Sequence, residues 1–220
     1  ANVNAAPELD KAKREVAFTI FVDPGRRVYV RRINVTGNTR SRDEVIRREM
    51  RQTESAWYDG DKIKLSRDRV DRLGYFTDVN IEIQEVPGSP DQVDLMVSMT
   101  EKPTGSLSVG AGFSSAERLA LSFSIKQENA FGSGNYLGVE VNTSKYNRTI
   151  AFNTVDPYFT ADGISRAIDV YHRRSKPYED QGGNYELVTS GASLRFGVPF
   201  SELDTVYFGG GFERTTIKPG

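Results

Sequence analysis

The sequence contains no cysteine, a single histidine (His172) and no long apolar run. Without cysteine there is no disulfide, no thiolate metal site and no cysteine nucleophile. A membrane-spanning helix needs about 20 apolar residues in a row, so a helical membrane protein is excluded. A membrane β-barrel is not excluded, because each of its strands carries only about 10 residues of alternating pattern. The net charge of −1 gives no indication of nucleic-acid binding.

No arrangement of catalytic, cofactor-binding or metal-binding residues is found. The glycine-rich stretch FGSGNYLG (residues 131–138) lacks the spacing and the Lys-Ser/Thr pair of a phosphate loop, so we interpret it as a hairpin turn. His172 has no acidic partner at ligand spacing and is interpreted as a strand residue. No Ser/His/Asp arrangement has a defensible spacing. We therefore predict a protein that is not an enzyme and has no cofactor.

The composition changes near Pro103. Charged residues of both signs are frequent before this point, whereas glycine and aromatic residues are enriched after it. Such a change indicates a domain boundary. The arginines between Arg26 and Arg51 are balanced by acidic residues, so most of them are interpreted as solvated surface, with part of the cluster facing lipid head groups or partner subunits.

The first region has the pattern of a mixed α and β domain. Val16–Val22 is predicted as a strand that the turn at residues 23–25 closes. From Val28 to Glu101 the predicted order is β-α-α-β-β, a helix pair on one face of a three-stranded sheet. The first helix is predicted to start at Ser41 as the N-cap, and the second to cover Lys62–Leu73 and to end at Gly74.

The second region has no reliable helical period and predicts about seven strands joined by short turns. Consecutive strands with short connections favour an antiparallel up-and-down order. The predicted strands are Gly105–Phe113, Leu119–Asn129, Tyr136–Tyr146, Thr149–Asp156, Ser165–Arg174, Tyr185–Val198 and Thr205–Arg214.

Most of these strands alternate an apolar row with a row of small polar residues. A soluble β-sandwich or lipocalin-like barrel would turn the apolar row towards a dry core. A membrane barrel would turn it towards lipid, and the Gly/Ser-rich polar row towards a wet lumen. The strand lengths, close to the 9 to 11 residues that cross a bilayer, favour the membrane barrel. Bacterial barrels have an even number of at least eight strands, so seven strands predict a fragment. An unpaired strand at Val16 and a strand at Ile217–Gly220 favour the same interpretation.

Several segments resemble the BamA family of outer-membrane protein assembly factors. They are VDPGRRVYVRRINVTGNTRSRDEVIRREMRQ, DRVDRLGYFTDVNIE, VPGSPDQVDLMVSMTEKPTGS and DPYFTADGIS. The resemblance covers nearly the whole chain. It implies that residues 1–25 are the tail of one POTRA (periplasmic transport-associated) domain, that residues 26–102 are the fifth and last POTRA domain, and that residues 103–220 are the start of a sixteen-stranded transmembrane barrel.

The resemblance further implies that the first barrel strand is a gate edge to which client strands add, with Pro103 at the hinge. Glycine weakens strand packing, and an edge offers unpaired backbone groups whose burial in hydrocarbon is costly. Relief of crowding is the alternative role for the glycines. The gate-edge residues are Gly105, Ser106, Leu107, Ser108, Val109, Gly110, Ala111, Gly112 and Phe113.

Two further contacts are expected in the POTRA domain. An edge strand at Val79–Glu85 is a candidate for β-augmentation by extended clients, although Glu82 and Glu85 are also consistent with an ordinary protected edge. Glu101 matches a family position on the surface that docks an accessory lipoprotein, and a solvated carboxylate is the alternative. The edge-strand residues are Val79, Asn80, Ile81, Glu82, Ile83, Gln84 and Glu85.

The resemblance implies a central subunit of the machine that inserts β-barrel proteins into the outer membrane of Gram-negative bacteria. Its expected partners are unfolded outer-membrane protein clients, accessory lipoproteins and outer-membrane lipid, with the POTRA region in the periplasm. The alternatives are a related transporter of the two-partner secretion or TamA type, and a soluble periplasmic β-rich binding protein.

Overall fold

The computed structural model describes residues 2–10, 14–23, 25–176 and 184–219. These residues form twelve strands and two helices, and the strands are divided among three sheets. No helix in this part of the chain is long and apolar enough to cross a membrane. The turn predicted at residues 23–25 includes Pro24, which lies outside the described residues.

The first sheet is an antiparallel hairpin of β1 (Asn2–Asp10) and β2 (Glu15–Asp23). The predicted strand at Val16–Val22 is thus confirmed, but the expectation that it has no partner in this chain is wrong. The strand β1 has the sequence NVNAAPELD, in which alanine, asparagine and proline have low strand propensity. Its strand conformation comes from pairing with β2, which a local sequence pattern does not reveal.

The second sheet belongs to a compact unit, here called the α+β module. It contains β3 (Tyr29–Thr36), α1 (Asp43–Arg47), α2 (Gly60–Arg72), β4 (Phe76–Glu85) and β5 (Gln92–Glu101). The central strand β5 pairs with β3 in parallel and with β4 antiparallel. The predicted β-α-α-β-β order is therefore confirmed.

Alternate residues of β5 point into a dry core. Val93, Leu95, Val97 and Met99 are buried along this strand. From the helices, Val45, Ile46 and Val70 are fully buried against the sheet. Full burial of such a side chain contributes about 1.5 to 3 kcal/mol, so this cluster stabilises the folded module.

The two helices differ in how their N-termini are capped. The second helix, predicted over Lys62–Leu73, begins two residues earlier, at Gly60. Asp59 caps α2, and its carboxylate accepts hydrogen bonds from the backbone N–H groups of Asp61 and Lys62. The prediction that Ser41 caps α1 is wrong, because the N-cap is Arg42 and no side chain caps this helix. The Ser41 hydroxyl is instead used in a buried tertiary hydrogen bond with Asn129.

The third sheet contains seven antiparallel strands in sequence order, which confirms the predicted meander. Its strands are β6 (Gly105–Ser114), β7 (Arg118–Ala130), β8 (Asn135–Thr143), β9 (Asn147–Asp156), β10 (Ser165–Ser175), β11 (Tyr185–Pro199) and β12 (Thr205–Pro219). The strand β6 follows the module after only three residues, so the two units are directly connected.

The strand register places the apolar residues of all seven strands in continuous rows. One row passes from β6 to β12 through Leu107, Ile125, Val139, Phe152, Val170, Ala192 and Phe212. The large apolar side chains of this row are exposed, up to 70% for Phe212. No described residue covers this face, so within the described chain the sheet has no dry core of the kind a soluble sandwich requires.

The opposite face carries the small and polar residues. The row next to the apolar one contains Ser106, Lys126, Gly138, Asn153, Asp169, Ser193 and Gly211. Within it, the Asp169 carboxylate accepts hydrogen bonds from Asn153 and Ser193. One face of the sheet is therefore suited to lipid and the other to water.

Candidate functional site

The strand β4 is an open edge of the α+β module. It pairs with β5 alone, and no other described strand lies beside it. A register shift between Thr77 and Asn80 leaves Asp78 and Val79 without a paired residue on β5. Regular pairing extends from Asn80 to Glu85. Of the predicted edge residues, all but Val79 therefore lie in a regular, one-sided strand.

The opposite edge of the same sheet, at β3, is covered. Backbone groups of Val28 and Val30 are hydrogen-bonded to the segment Ser55–Tyr58, with N···O distances of 2.8 to 2.9 Å. Further along, the N–H of Ile33 donates to Glu54 at 2.8 Å, and its carbonyl accepts from Arg47 at 2.9 Å. Intramolecular partners thus take the place that an added strand would occupy on β3.

The two edges of the module therefore differ in their availability. Proteins usually protect open edges, because unpaired N–H and C=O groups attract other strands. On β4 the acidic residues Glu82 and Glu85 give partial protection, but the apolar side chain of Ile83 between them is 50% exposed. An extended apolar segment can find backbone partners and an apolar contact here.

The strand β6 lies at one end of the seven-stranded sheet and, among the described strands, pairs with β7 alone. The apolar side chains of this strand are highly exposed, with exposed fractions of 75% for Val109 and 78% for Phe113. A side chain at Gly105 or Gly110 would collide with Gln127 or Ser122 on β7, whereas Gly112 faces open space. The close atoms are the rotatable side-chain ends of Gln127 and Ser122, so crowding gives a weak reason for Gly105 and Gly110 and none for Gly112.

The predicted hinge at Pro103 lies in the connection of residues 102–104 between β5 and β6. The residues on both sides of it are held. Lys102 donates its N–H to the carbonyl of Tyr75 at 3.0 Å, and Thr104 accepts hydrogen bonds from Gln127 and Glu128 on β7. Proline itself has no N–H to donate and a fixed φ. The connection is therefore short and anchored at both ends.

Glu101 ends β5 and fixes the loop that precedes α1. Its carboxylate accepts hydrogen bonds from the hydroxyl of Thr39 (2.8 Å) and from the backbone N–H groups of Arg40 (2.8 Å) and Ser41 (2.6 Å). Partial burial alone would raise the pKa of Glu101, but the hydrogen bonds from Ser41, Thr39 and Arg40 outweigh it and lower this pKa. The carboxylate therefore holds residues 39–41 in place. A contact with an accessory lipoprotein stays a prediction.

Replacing Glu101 by glutamine is expected to destabilise the α+β module by about 1 kcal/mol at neutral pH, after allowance for solvent screening. The amide turns an N–H₂ group towards a backbone donor, which breaks one of the three hydrogen bonds. Because the pKa of Glu101 is lowered in the folded state, its contribution is present above the unfolded pKa and is lost as pH falls through the folded value.

Urea unfolding of the wild type and of E101Q between neutral pH and about pH 3 measures this contribution. The stability difference between the two proteins should shrink as the pH falls. A difference that is the same at every pH would contradict the assigned role of the charge. D91N, which removes an exposed charge from the same module, is the control.

The loop held by Glu101 contacts the turn between β7 and β8. The side-chain N–H₂ group of Asn129 donates to the Ser41 hydroxyl at 2.7 Å. The side-chain oxygen of Asn129 accepts from the N–H of Gly134 at 2.7 Å. The N–H of Arg42 donates to the carbonyl of Gly132 at 2.9 Å. The stretch interpreted as a plain hairpin turn therefore attaches the sheet to the module.

Two more turns at the same end of the sheet face the helices. In the turn after β9, the ring of Tyr158 lies below the guanidinium of Arg48, at 4.5 Å. In the turn after β11, Glu202 forms ion pairs with Arg51 (2.7 Å) and Arg69 (2.6 Å). The hydrogen bond from Arg51 lowers the pKa of Glu202, against the effect of burial, and the charge of Arg69 adds to this. A cavity of about 680 Å³ lies between these turns and the helices.

Sequence patterns did not identify this junction. Arg48 and Arg51 were interpreted within a general basic cluster, whereas the structure places them against two different turns of the sheet. The available signal was the clustering of glycine, tyrosine and acidic residues in alternate turns, which are the turns that meet at one end of a meander. No spacing within the sequence links those turns to particular arginines 85 or more positions away, because the contacts depend on the tertiary fold.

Comparison with known families agrees with both units. Residues 28–102 match the POTRA model (surface antigen variable number repeat), and residues 129–219 match the Omp85 superfamily domain. The chain is 39% identical over 220 residues to the outer membrane protein assembly factor BamA of Neisseria meningitidis serogroup B, which covers 99% of this chain and 28% of that protein.

Solved structures give the same result. The crystal structure of BamA from Haemophilus ducreyi lacking POTRA domains 1–3 matches 99% of this chain and 41% of that chain, with a TM-score of 0.82 and 31% identity. CdiB from Acinetobacter baumannii matches 98% of this chain and 42% of that chain, with a TM-score of 0.59 but 13% identity, so it shows the fold alone.

A POTRA domain that continues directly into an antiparallel sheet with one lipid-suited face defines this chain as a member of the Omp85 superfamily. Within it, the chain belongs to the BamA family of outer-membrane protein assembly factors. It spans about a quarter to a third of the length of the curated relatives it matches. As in those relatives, the sheet lies in the outer membrane and the POTRA domain in the periplasm.

Proposed function

We propose that this chain belongs to a central assembly subunit that receives unfolded β-barrel clients in the periplasm and templates their strand pairing during insertion into the outer membrane. The observation that carries the proposal is the difference between the two edges of the POTRA sheet. The edge at β3 is occupied by the chain's own segment, whereas β4 is open from Asn80 to Glu85. Binding and strand pairing involve no covalent step, so we assign no enzymatic activity.

The strand β6 supplies the second template in this proposal. Within the described chain it pairs with β7 alone, and its other edge is the one that receives the client strand in this proposal. In hydrocarbon each unsatisfied backbone group costs several kcal/mol, so pairing with β6 is strongly favourable once a client reaches the membrane. Gly112, which crowding does not explain, supports a strand that is kept pliable.

The domain boundaries and the remaining partners belong to the same proposal. The hairpin of β1 and β2 is the end of a preceding POTRA domain, residues 26–102 are the last POTRA domain before the barrel, and the sheet is the first part of the barrel wall. The exposed apolar rows support contact with outer-membrane lipid. The loop fixed by Glu101 is the candidate surface for an accessory lipoprotein.

Photocrosslinking during client assembly tests the proposal. A photoreactive amino acid is placed at Ile83 on β4 and at Ser108 on β6, in the intact membrane protein with a radiolabelled unfolded outer-membrane protein. Controls are Asn34 on the covered strand β3, and Glu140, which lies in the same register row as Ser108 but two strands further into the sheet. We expect client adducts from positions 83 and 108, at least about fivefold above the controls.

Equal adduct yields at Asn34 and Ile83 would contradict a role for the open edge, because they would indicate unspecific proximity. Adducts at Ile83 without adducts at Ser108 would restrict the function to periplasmic reception. A transporter of the two-partner secretion type is the second candidate, and the 13% identity to CdiB supports it only at the level of the fold. It predicts adducts with a dedicated secreted partner and not with barrel clients.

A further inference from the structure

The end of the seven-stranded sheet that lies away from the POTRA domain carries a basic cavity. The turns after β7, β9 and β11 face the POTRA domain. The opposite end of the sheet therefore lies on the extracellular side of the outer membrane. There the turn after β8 and the end of β10 enclose a cavity of about 190 Å³. Its described lining contains no acidic residue and includes the basic residues Lys145, Arg148, Arg174 and Lys176.

Two of these basic residues are direct neighbours across the strands. Arg148 on β9 and Arg174 on β10 form a registered pair, and alternation places both on the face that carries the apolar rows. Like charges directly opposite each other in an antiparallel pair are destabilising. The Nε of Arg174 lies 2.8 Å from the Glu186 carboxylate, whereas Arg148 forms no ion pair or side-chain hydrogen bond with a described residue. An anion bound between the two arginines would offset their repulsion.

An apolar groove of about 400 Å³ adjoins the basic cavity on the same face of the sheet. Ala192 lies in the register row between Val170 on β10 and Phe212 on β12, so its small side chain leaves a depression. Ile150 lines the groove and Arg148 lines the cavity, and they are two residues apart on β9, about 7 Å along the strand. The large apolar residues of the groove are Ile150, Phe152, Val170 and Phe212.

We propose that the cavity and the groove together bind a phosphorylated glycolipid of the outer leaflet, with a phosphate group in the cavity and an acyl chain in the groove. A free anion would leave the groove unused, and an apolar segment would leave the cavity unused. A lipid with a phosphorylated head group has both chemistries in one molecule. The proposal specifies the lipid contact of the proposed function and does not depend on client binding.

The number of basic residues favours a phosphate monoester over the phosphodiester of a glycerophospholipid. A monoester carries a charge of about −1.5 to −2 at neutral pH and has three acceptor oxygens, whereas a diester carries a single charge. Arginine binds phosphate through two parallel hydrogen bonds, and lysine contributes a compact charge. The cavity provides two residues of each kind. The glycolipid is therefore the better match.

Native mass spectrometry of the full-length protein, freed of lipid and held in detergent micelles, tests the proposal. The probe is a diglucosamine lipid with two phosphate monoesters. The comparison probes are the same lipid without phosphates, phosphatidylglycerol and inorganic phosphate. We expect the phosphorylated glycolipid to bind at least about tenfold more tightly than each comparison probe, because only this probe fills both the cavity and the groove.

The variant R148Q tests the cavity. We expect its affinity for the phosphorylated glycolipid to fall about 5- to 10-fold, because one charge-assisted contact is lost. Its affinity for the lipid without phosphates should not change. The matched control is R118Q, because Arg118 is an exposed arginine at the same end of the sheet that does not line the cavity.

The variant A192F tests the groove by filling it with an aromatic ring. We expect about fivefold weaker binding of the glycolipid both with and without its phosphates, because the acyl chain loses its apolar contact. The matched control is I125F, which adds a ring in the same register row, four strands away from Ala192. Ala192 and Ile125 are both exposed on the lipid-suited face, so neither change disturbs a packed core.

Three results would overturn the inference. Equal affinities of R148Q and R118Q for the phosphorylated glycolipid would exclude the cavity as its phosphate site. Equal affinities of A192F and I125F would exclude the groove as its acyl site. Phosphatidylglycerol that binds as tightly as the phosphorylated glycolipid would show a general attraction of anionic head groups to basic residues. Because no client is present, none of these results bears on the proposed strand templating.

Discussion

Replacing Gly132 by alanine is expected to break the attachment of the POTRA domain to the sheet. Gly132 has a φ of +71°, a left-handed conformation that costs an alanine about 1 kcal/mol or more. The added Cβ would lie within van der Waals contact distance of the Arg40 backbone, 3.0 Å from its carbonyl carbon and nearer still to the oxygen. Backbone atoms cannot rotate away, so we expect a total cost of about 3 kcal/mol.

Hydrogen exchange at the N–H of Arg42, which donates to the carbonyl of Gly132, measures this effect in the intact protein. A cost of about 3 kcal/mol corresponds to exchange that is about 100-fold faster. The matched control is G88A, because Gly88 also has a left-handed φ (+79°) but no atom within 4 Å of an added Cβ. An Arg42 exchange rate in G132A that stays within about threefold of the G88A rate would contradict the close approach.

Replacing Gly37 by alanine is expected to have the largest effect on the POTRA domain itself. Gly37 follows β3 with a φ of +92°, and an added Cβ would lie 2.8 Å from the carbonyl carbon of Met99 and inside contact distance of its oxygen. Met99 belongs to the central strand β5 and is buried in the core, so it has no room to shift. We expect a loss of about 3 to 5 kcal/mol.

The fluorescence of Trp57, the only tryptophan of this chain, reports urea unfolding of the POTRA domain in detergent micelles. G74A is the control, because Gly74 shares the left-handed conformation (φ +73°) but has open space around the Cβ position. It should cost about 1 kcal/mol. If G37A and G74A have the same urea midpoint, strain of the backbone and not contact with Met99 explains both variants.

Much of the fold was predictable because it repeats a simple pattern along the chain. The alternation of Val93, Leu95, Val97 and Met99 predicted a half-buried strand, and all four side chains are buried. The seven strands of the sheet were predicted within a few residues of their observed ends, since alternation and short turns are local properties. The strand β1 was missed because many of its residues have low strand propensity. It is extended because it pairs with β2, and a local pattern does not reveal that pairing.

The candidate site was predictable only in part. Chain order is enough to put β6 first in the meander and beside β7. Its role as a gate edge was expected from the family resemblance and stays a prediction. The open edge at β4 was also predicted. What the sequence did not indicate is that the other edge of this sheet, at β3, is covered by Ser55–Tyr58 and Glu54. Ser41 was assigned to helix capping, whereas a buried contact with Asn129 uses its hydroxyl.

The sequence by itself determined the two units, their secondary structure and the chemistry of the two faces of the sheet, because each depends on the residues within one strand or one helix. Only the tertiary structure decided how the units are joined. The contacts between the helices and the turns of the sheet pair residues that are some 60 to 150 positions apart, and their strength depends on burial and on the remaining partners of each group. Those quantities exist only once the turns of the sheet and the helices of the POTRA domain face each other.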